Sequence, residues 1–325
     1  MKAIVRTRYG LPDALRLREV PKPTPKAGEV LVEVRAASVT FSNLMLATFP
    51  VGLILGLARG AKDQILGSDV AGRVEAVGAG VKRFQPGEHV FGYLADCGKG
   101  AYAEYVCAPE RVLERKPVNL SFEEAAAVPE SGLVALQAVR DDGGVRPGQK
   151  VLVYGASGGI GTFAVQIAKA LGADVTGVCS TKNLDLVRSI GADRVIDYTR
   201  QDFTGSGQLY DLIVATAGYR SLSDYLRVLK PGGTYVCTGG AWRQIFQSAV
   251  RGEKGSMRDG KKLVMLTMNP VYDLAALREL IEAGQVRPVI DRSYPLHAIA
   301  EAFRYYGKRH ARGKVVVTVE HAVAT

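Results

Sequence analysis

The sequence predicts an α/β chain of two domains, a small β-barrel and a doubly wound parallel sheet. Three observations carry this. Residues 1–124 hold short alternating segments punctuated by glycine and proline. From 150 to 268 strand-like and helix-like segments take turns. A glycine-rich turn, VYGASGGIG (153–161), joins the first strand of that second region to its first helix. A chain of 325 residues is long enough for two cores of this kind.

In the first region VLVEVRAASV (30–39) and SDVAGRVEAVG (68–78) alternate apolar and polar residues, as strands with one buried face do. FQPGEHVFGY (84–93) and AYAEYVCAP (101–109) continue the pattern. The texture changes at SFEEAAAVPESGLVALQAV (121–139), where Ser121 and Glu124 have capping-box spacing and predict a helix start. KVLVYG (150–155) is a continuous apolar strand, TFAVQIAKALGA (162–173) an amphipathic helix, DVTGVCS (174–180) a strand and NLDLVRSIGA (183–192) a helix. RVIDY, DLIVATAG and GGTYVCTGG follow as strands, with SLSDYLRVLKPGG (221–233) a helix between the last two. After 269 come a helix over 273–284 and a final strand, KVVVTV (314–319). That strand has no following helix, so it is expected to return to the first domain. The predicted domains are therefore 1–124 with 269–325, and 125–268.

Composition bounds the function. With 47% hydrophobic and 23% charged residues the chain falls in the soluble globular class rather than the disordered one. The longest apolar stretch, 44–58, is shorter than the roughly 18 residues of a membrane span, and Pro50, Gly52 and Gly56 interrupt it. Pocket lining, a lid and core packing remain open readings for it, with a lipid-surface contact the weaker alternative. The N-terminus alternates like a strand and lacks the form of a secretory signal, so a cytoplasmic protein is expected. Cys97, Cys107, Cys179 and Cys237 are scattered, without CxxC or metal-like spacing, and predict free thiols. The net charge of +10 is spread along the chain, with loose concentrations at 243–262 and 304–314 and no interleaved aromatics. It suits a phosphorylated small-molecule ligand, and no specific nucleic acid is expected.

The glycine turn points to a dinucleotide. Gly155, Gly158, Gly159 and Gly161 allow a backbone to approach a pyrophosphate closely, and the helix that follows adds partial positive charge. The end of the second strand selects the cofactor. An NAD enzyme places a carboxylate there for the ribose hydroxyls. Here the residues are Cys179-Ser180-Thr181-Lys182-Asn183. Ser180 can donate to a 2′-phosphate and Lys182 can neutralise it, so NADP(H) is expected.

The turn also fits the opening of short-chain dehydrogenases, but none of the 14 tyrosines has lysine four residues on. The arrangement instead resembles the medium-chain dehydrogenase/reductase superfamily, in its zinc-free, zeta-crystallin-like quinone-oxidoreductase branch. The residues that carry the resemblance are GSDVAGRVEAVGAGVKRFQPGEHVFG (67–92), GAYAEYV (100–106) and GASGGIGTFAVQIAKALGA (155–173). RSIGADRVIDY (188–198), LKPGGTYV (229–236) and HARGKVVVTV (310–319) add to it. The resemblance implies a GroES-like catalytic domain, a Rossmann domain, an active site in the cleft between them and a homodimer. It also implies cofactor contacts at Gly155, Ser157, Gly158, Gly159, Ile160, Ser180, Lys182, Tyr198, Ala217, Gly239, His310, Ala311 and Arg312.

By the same resemblance, the positions of the Cys–His–Cys zinc ligands hold Thr40, Ser68 and Glu130, with Asp69 beside them. Two hydroxyls and a glutamate make a poor zinc site, so no metal is expected, and Asp69 and Glu130 read as structural residues. Without a Lewis acid, hydride transfer suits an activated acceptor, a quinone or an α,β-unsaturated carbonyl of apolar character. Water and the hydroxyls of Thr40 and Ser42 are the candidates for proton delivery, and no catalytic acid is assigned. Quinone reductases carry N-P-x-D-x-Y where this chain has Thr40-Phe41-Ser42-Asn43-Leu44-Met45, and Val134 replaces the usual threonine after SGL. The acceptor is thus not inherited from quinone reduction. The alternatives are an NADP-dependent alcohol dehydrogenase or ketone reductase, and a nucleic-acid-binding, crystallin-like protein that keeps NADPH binding.

Overall fold

The computed structural model describes residues 1–7, 14–48, 64–97, 100–216, 220–239, 259–266 and 273–321. Ala217, residues 49–58 of the apolar stretch and most of the basic concentration at 243–262 lie outside them. The chain divides into two compact units. The first holds Met1–Glu130, Leu274–Glu279 and Pro288–Thr325, and the second Ser131–Asp273 and Leu280–Arg287.

The first unit is built around Glu29–Val39, an eleven-residue strand that is buried along most of its length. It pairs antiparallel with Asp69–Val77 on one side. On the other side Tyr105–Pro109 covers its first half and Lys314–Thr318 its second, with Val315 opposite Val39. One strand thus collects partners from three distant parts of the chain. His89–Tyr93, Leu113–Arg115 and Ile290–Pro295 complete a seven-stranded sheet, and Leu15–Glu19, Lys2–Arg6 and Gln64–Ile65 form a second sheet of three. Ile4 N–H donates to Tyr102 O at 2.8 Å, which ties the smaller sheet to the segment leading into Tyr105–Pro109.

The second unit contains one six-stranded sheet, in the order Arg194–Asp197, Asp174–Cys179, Lys150–Tyr154, Tyr210–Ala215, Leu229–Cys237, Lys262–Met265. All five pairings are parallel. In chain order this is 3-2-1-4-5-6, so the direction of winding reverses between Lys150–Tyr154 and Tyr210–Ala215. Ligands of such sheets bind beyond the strand carboxyl ends at that reversal. Parallel strands covered on both faces need unbroken apolar sequence, which Val151-Leu152-Val153 and Leu212-Ile213-Val214 supply; all six are buried.

The capping box at Ser121 forms: Glu124 N–H donates to Ser121 Oγ at 3.1 Å and Ser121 N–H to Glu124 Oε2 at 2.9 Å. The helix it starts is shorter than the apolar pattern suggests, ending at Ala126. A second helix, Pro129–Leu136, begins three residues later. Pro129 explains the break, because proline has no N–H to continue the ladder and fits best at a first helical position.

The core of the second unit includes an aromatic cluster. Phe203 and Tyr225 have ring centroids 5.6 Å apart, Tyr225 and Tyr235 5.2 Å, and Tyr154 lies 5.6 Å from both Phe203 and Tyr225. Phe203 is 1% exposed although it stands on a short turn, Phe203–Gly205, rather than in the sheet. Phe203→Ala is expected to cost about 3–5 kcal/mol, and Phe203→Leu clearly less, by urea denaturation. An unchanged midpoint for the alanine variant would remove this cluster as the support of the sheet.

Candidate functional site

The glycine turn leaves Lys150–Tyr154 pinned to the neighbouring strand, because Gly155 N–H and Ala156 N–H both donate to Val178 O at 3.0 Å. Gly155 has φ +86°, a conformation that favours glycine. A Cβ on Gly161 would stand 2.1 Å from Gly155 O, so only glycine lets the helix start this close to the strand. Gly158 caps the helix Gly159–Ala170 without a side chain, and a Cβ on it would meet only Gly155 O, at 3.5 Å. The first-turn N–H groups of Gly159 and Ile160 have no acceptor within the helix. This is a cradle for a pyrophosphate, and it fits a dinucleotide.

Ser157 and Ser180, far apart in sequence, are joined by a residue that the motif reading passed over. Asn183 Nδ2 donates to Ser157 Oγ at 2.9 Å and to Ser180 Oγ at 3.2 Å. Asn183 is 7% exposed, and its Oδ1 is buried with no partner among the described residues. Lys182 is exposed on the turn Thr181–Asn183. Tyr198 is 48% exposed and stacks on Tyr154 with centroids 6.4 Å apart. Gly239 lies just past Leu229–Cys237, its Cβ position 3.7 Å from Thr216 O. Thr216 in turn donates its hydroxyl to Tyr154 O at 3.0 Å. These groups gather at the carboxyl ends of the strands, around the reversal point.

A carboxylate does stand at the end of the second strand, supplied by the third. Parallel pairing sets Asp197 beside Cys179. Its Oδ2 accepts from Thr181 Oγ1 at 2.6 Å, and its Oδ1 from Thr199 Oγ1 at 2.7 Å and Thr199 N–H at 3.0 Å. The Thr181 hydroxyl, followed by those of Thr199, holds this carboxyl below the usual range. Asp197 is therefore ionised and already engaged by these donors.

In the first unit the hydroxyl and carboxylate positions converge. Glu130 Oε2 accepts from Ser42 Oγ at 2.7 Å and from Ser68 Oγ at 2.9 Å. Ser42 Oγ and Thr40 Oγ1 are 2.9 Å apart. Thr40 and Ser68 are each 2% exposed, whereas Ser42 and Glu130 are only partly buried. Behind them Asp69, fully buried, accepts from Ser38 Oγ at 2.6 Å, from Glu130 N–H at 2.9 Å and from Lys314 Nζ at 3.3 Å. Burial, then the Asp69 charge, pushes the Glu130 carboxyl up, against the opposing pull of Lys314, Ser42 and Ser68. Burial likewise raises the Tyr102 and Tyr306 phenols, helped by the same two carboxylates. Among the described residues no group of three or more His, Cys, Asp or Glu side chains is arranged to hold a metal ion.

His310, Ala311 and Arg312 also belong to the first unit, on the turn before the last strand. Arg312 N–H donates to Asp291 Oδ2 at 3.1 Å, an oxygen that also accepts from Tyr305 OH at 2.6 Å. The His310 and Arg312 side chains are exposed. No helix among the described residues is long and apolar enough to cross a membrane.

Residues 26–118 match the alcohol dehydrogenase GroES-like domain and residues 190–317 the zinc-binding dehydrogenase family. A chloroplast envelope quinone oxidoreductase homolog of Arabidopsis thaliana is 33% identical over 308 residues, 92% of each chain. A mitochondrial NAD(P)H oxidoreductase of Mus musculus is 33% identical, covering 98% of this chain and 89% of its own. Among solved structures, the quinone oxidoreductase of Coxiella burnetii superposes with a TM-score of 0.85 at 28% identity, over 98% of this chain and 99% of that one. The pyrophosphate cradle and these full-length likenesses agree: the chain belongs to the quinone-oxidoreductase branch of the medium-chain dehydrogenase/reductase superfamily and is an oxidoreductase that uses a nicotinamide cofactor.

Proposed function

We propose that the chain reduces quinones or α,β-unsaturated carbonyl compounds with NADPH and without a metal. The observation that carries this reading is the hydroxyl–carboxylate cluster of Thr40, Ser42, Ser68 and Glu130. It offers donors to an oxygen that gains charge, and it contains neither thiolate nor imidazole. When bound, a dihydronicotinamide supplies hydride. Conjugation in the acceptor spreads the incoming charge, so orientation, exclusion of water and a proton donor suffice. The names of the relatives support the same acceptor class. A ketone reductase would need stronger polarisation of the oxygen.

NADPH is favoured by Ser180, which Asn183 fixes beside Ser157, and by the exposed ammonium of Lys182. Asp197 stands close by, but its two oxygens accept from Thr181 and Thr199. Ribose hydroxyls therefore meet a carboxylate that already has donors, which weakens the usual preference for NADH. Gly155, Ser157, Gly158, Gly159, Ile160, Tyr198 and Gly239 serve the rest of the cofactor in this reading, with Ala217, His310, Ala311 and Arg312 carried over from the family. The family likeness extends the proposal to a homodimer.

A charge-assisted contact to the 2′-phosphate is worth about 1.5–3 kcal/mol. Lys182→Ala is therefore expected to lower the NADPH-to-NADH ratio of kcat/KM about ten- to a hundredfold, measured by steady-state kinetics. An unchanged ratio overturns the assignment of Lys182. Activity is expected to survive dialysis against EDTA at full strength. Loss of activity that added zinc restores would show the metal-free reading to be wrong.

A further inference from the structure

The sequence alone presents Glu130 as a structural residue, yet its surroundings are those of a proton store. We propose that Glu130 supplies the proton of the reduction, passing it to the substrate oxygen through Ser42. This inference rests on the proposed hydride transfer and adds to it the origin of the second hydrogen.

The route is short. Ser42 Oγ lies 2.7 Å from Glu130 Oε2, and of the three hydroxyls around the carboxylate it alone keeps partial exposure. Thr40 and Ser68, each 2% exposed, cannot be the exit. Thr40 Oγ1 at 2.9 Å and Ser68 Oγ, itself 2.9 Å from Glu130 Oε2, hold the other sides of the pair. In the neutral state the carboxyl donates to Ser42 Oγ and the Ser42 hydrogen turns outward.

The step balances as follows. Hydride adds two electrons and one hydrogen to the acceptor carbon, and the π electrons move onto the carbonyl oxygen. That oxygen takes the Ser42 hydroxyl proton while Ser42 takes the Glu130 proton; with an enone, the enol so formed then loses its O–H proton to solvent and gains one at the α-carbon to give the saturated ketone. The carboxylate that remains recovers its proton from water. Its place in the first turn of Pro129–Leu136 and the donors Ser42 and Ser68 stabilise it meanwhile.

Several charged and titratable groups act on this carboxyl. Asp69 faces it from the neighbouring strand end and accepts its backbone N–H, with Lys314 bound to the other oxygen of Asp69. Tyr102 and Tyr306 are electrostatically coupled to both carboxylates, and Arg309 acts on Tyr306. Desolvation and the Asp69 charge prevail, so Glu130 keeps its proton at a higher pH than an ordinary glutamate. An acid must be protonated to act. The rate should therefore be highest below the Glu130 pKa and fall as pH rises through it.

The test compares the wild type with Glu130→Gln and Ser42→Ala, using NADPH with 1,4-naphthoquinone and with 2-cyclohexen-1-one. Glutamine keeps the shape and the acceptor oxygen but does not titrate. Glu130→Gln is expected to lower kcat about a hundredfold or more, to leave NADPH affinity by fluorescence titration unchanged, and to lose the falling alkaline limb of the kcat profile. Ser42→Ala should keep the carboxyl but lose the rate by a similar factor. If either variant fails to fold by circular dichroism, the other decides. A folded Glu130→Gln with wild-type kcat and pH profile overturns this inference and leaves hydride transfer standing. A wild type that oxidises NADPH with neither acceptor overturns the proposed function, and this inference with it.

Discussion

The Asp69 carboxylate is fully buried and holds the first unit together at one point. Ser38, Glu130 and Lys314, its three donors, come from separate parts of the chain. Burying a charge costs several kcal/mol unless donors replace the lost water, and removing one partner of a buried pair costs about 3–5 kcal/mol. Lys314, 2% exposed, is the first residue of the last strand, so the same ion pair fastens that strand to the sheet. The backbone contact to Glu130 fixes where the helix after Pro129 begins. The position of Ser42 and Ser68 relative to the Glu130 carboxylate follows from that anchor. A single desolvated charge thus sets both the topology of the sheet and the geometry of the hydroxyl cluster.

The second unit solves a different problem, that of bringing backbone N–H groups to an anion without side chains in the way. Tight packing of the helix Gly159–Ala170 on the strand requires Gly161, and the turn requires Gly155. Asn183 adds the link that a glycine fingerprint does not contain. Its amide ties the loop serine to the serine at the end of the next strand. The glycine turn and the strand end to which the proposed NADPH reading assigns the two phosphate groups are therefore joined by one buried side chain.

Much of this was legible in the sequence, because it depends on local pattern. Alternation marked Glu29–Val39 and Asp69–Val77, apolar runs marked the parallel strands, and Ser121 with Glu124 marked a helix start that forms as a capping box. The sequence marks the start of that helix but not its end, which falls at Ala126 before Pro129 opens a second helix. What the sequence hid is long-range. Asp197 stands next to Cys179 only because the strands pair in parallel. Glu130 meets Ser42 and Ser68 across separations of 88 and 62 residues. Nothing in the local composition of PESGL announces a carboxyl held among hydroxyls.

The central claim is that this chain moves hydride directly from a nicotinamide to an activated acceptor. The most direct measurement is turnover of 2-cyclohexen-1-one with NADPH deuterated at C4 on each face in turn, followed by mass spectrometry and NMR of the product. The account predicts one deuterium per product molecule, at the β-carbon, from one of the two cofactor isotopomers and not from the other. It also predicts that the second new hydrogen comes from solvent. Product free of deuterium with both isotopomers, or deuterium at the carbonyl carbon of an allylic alcohol, would contradict it.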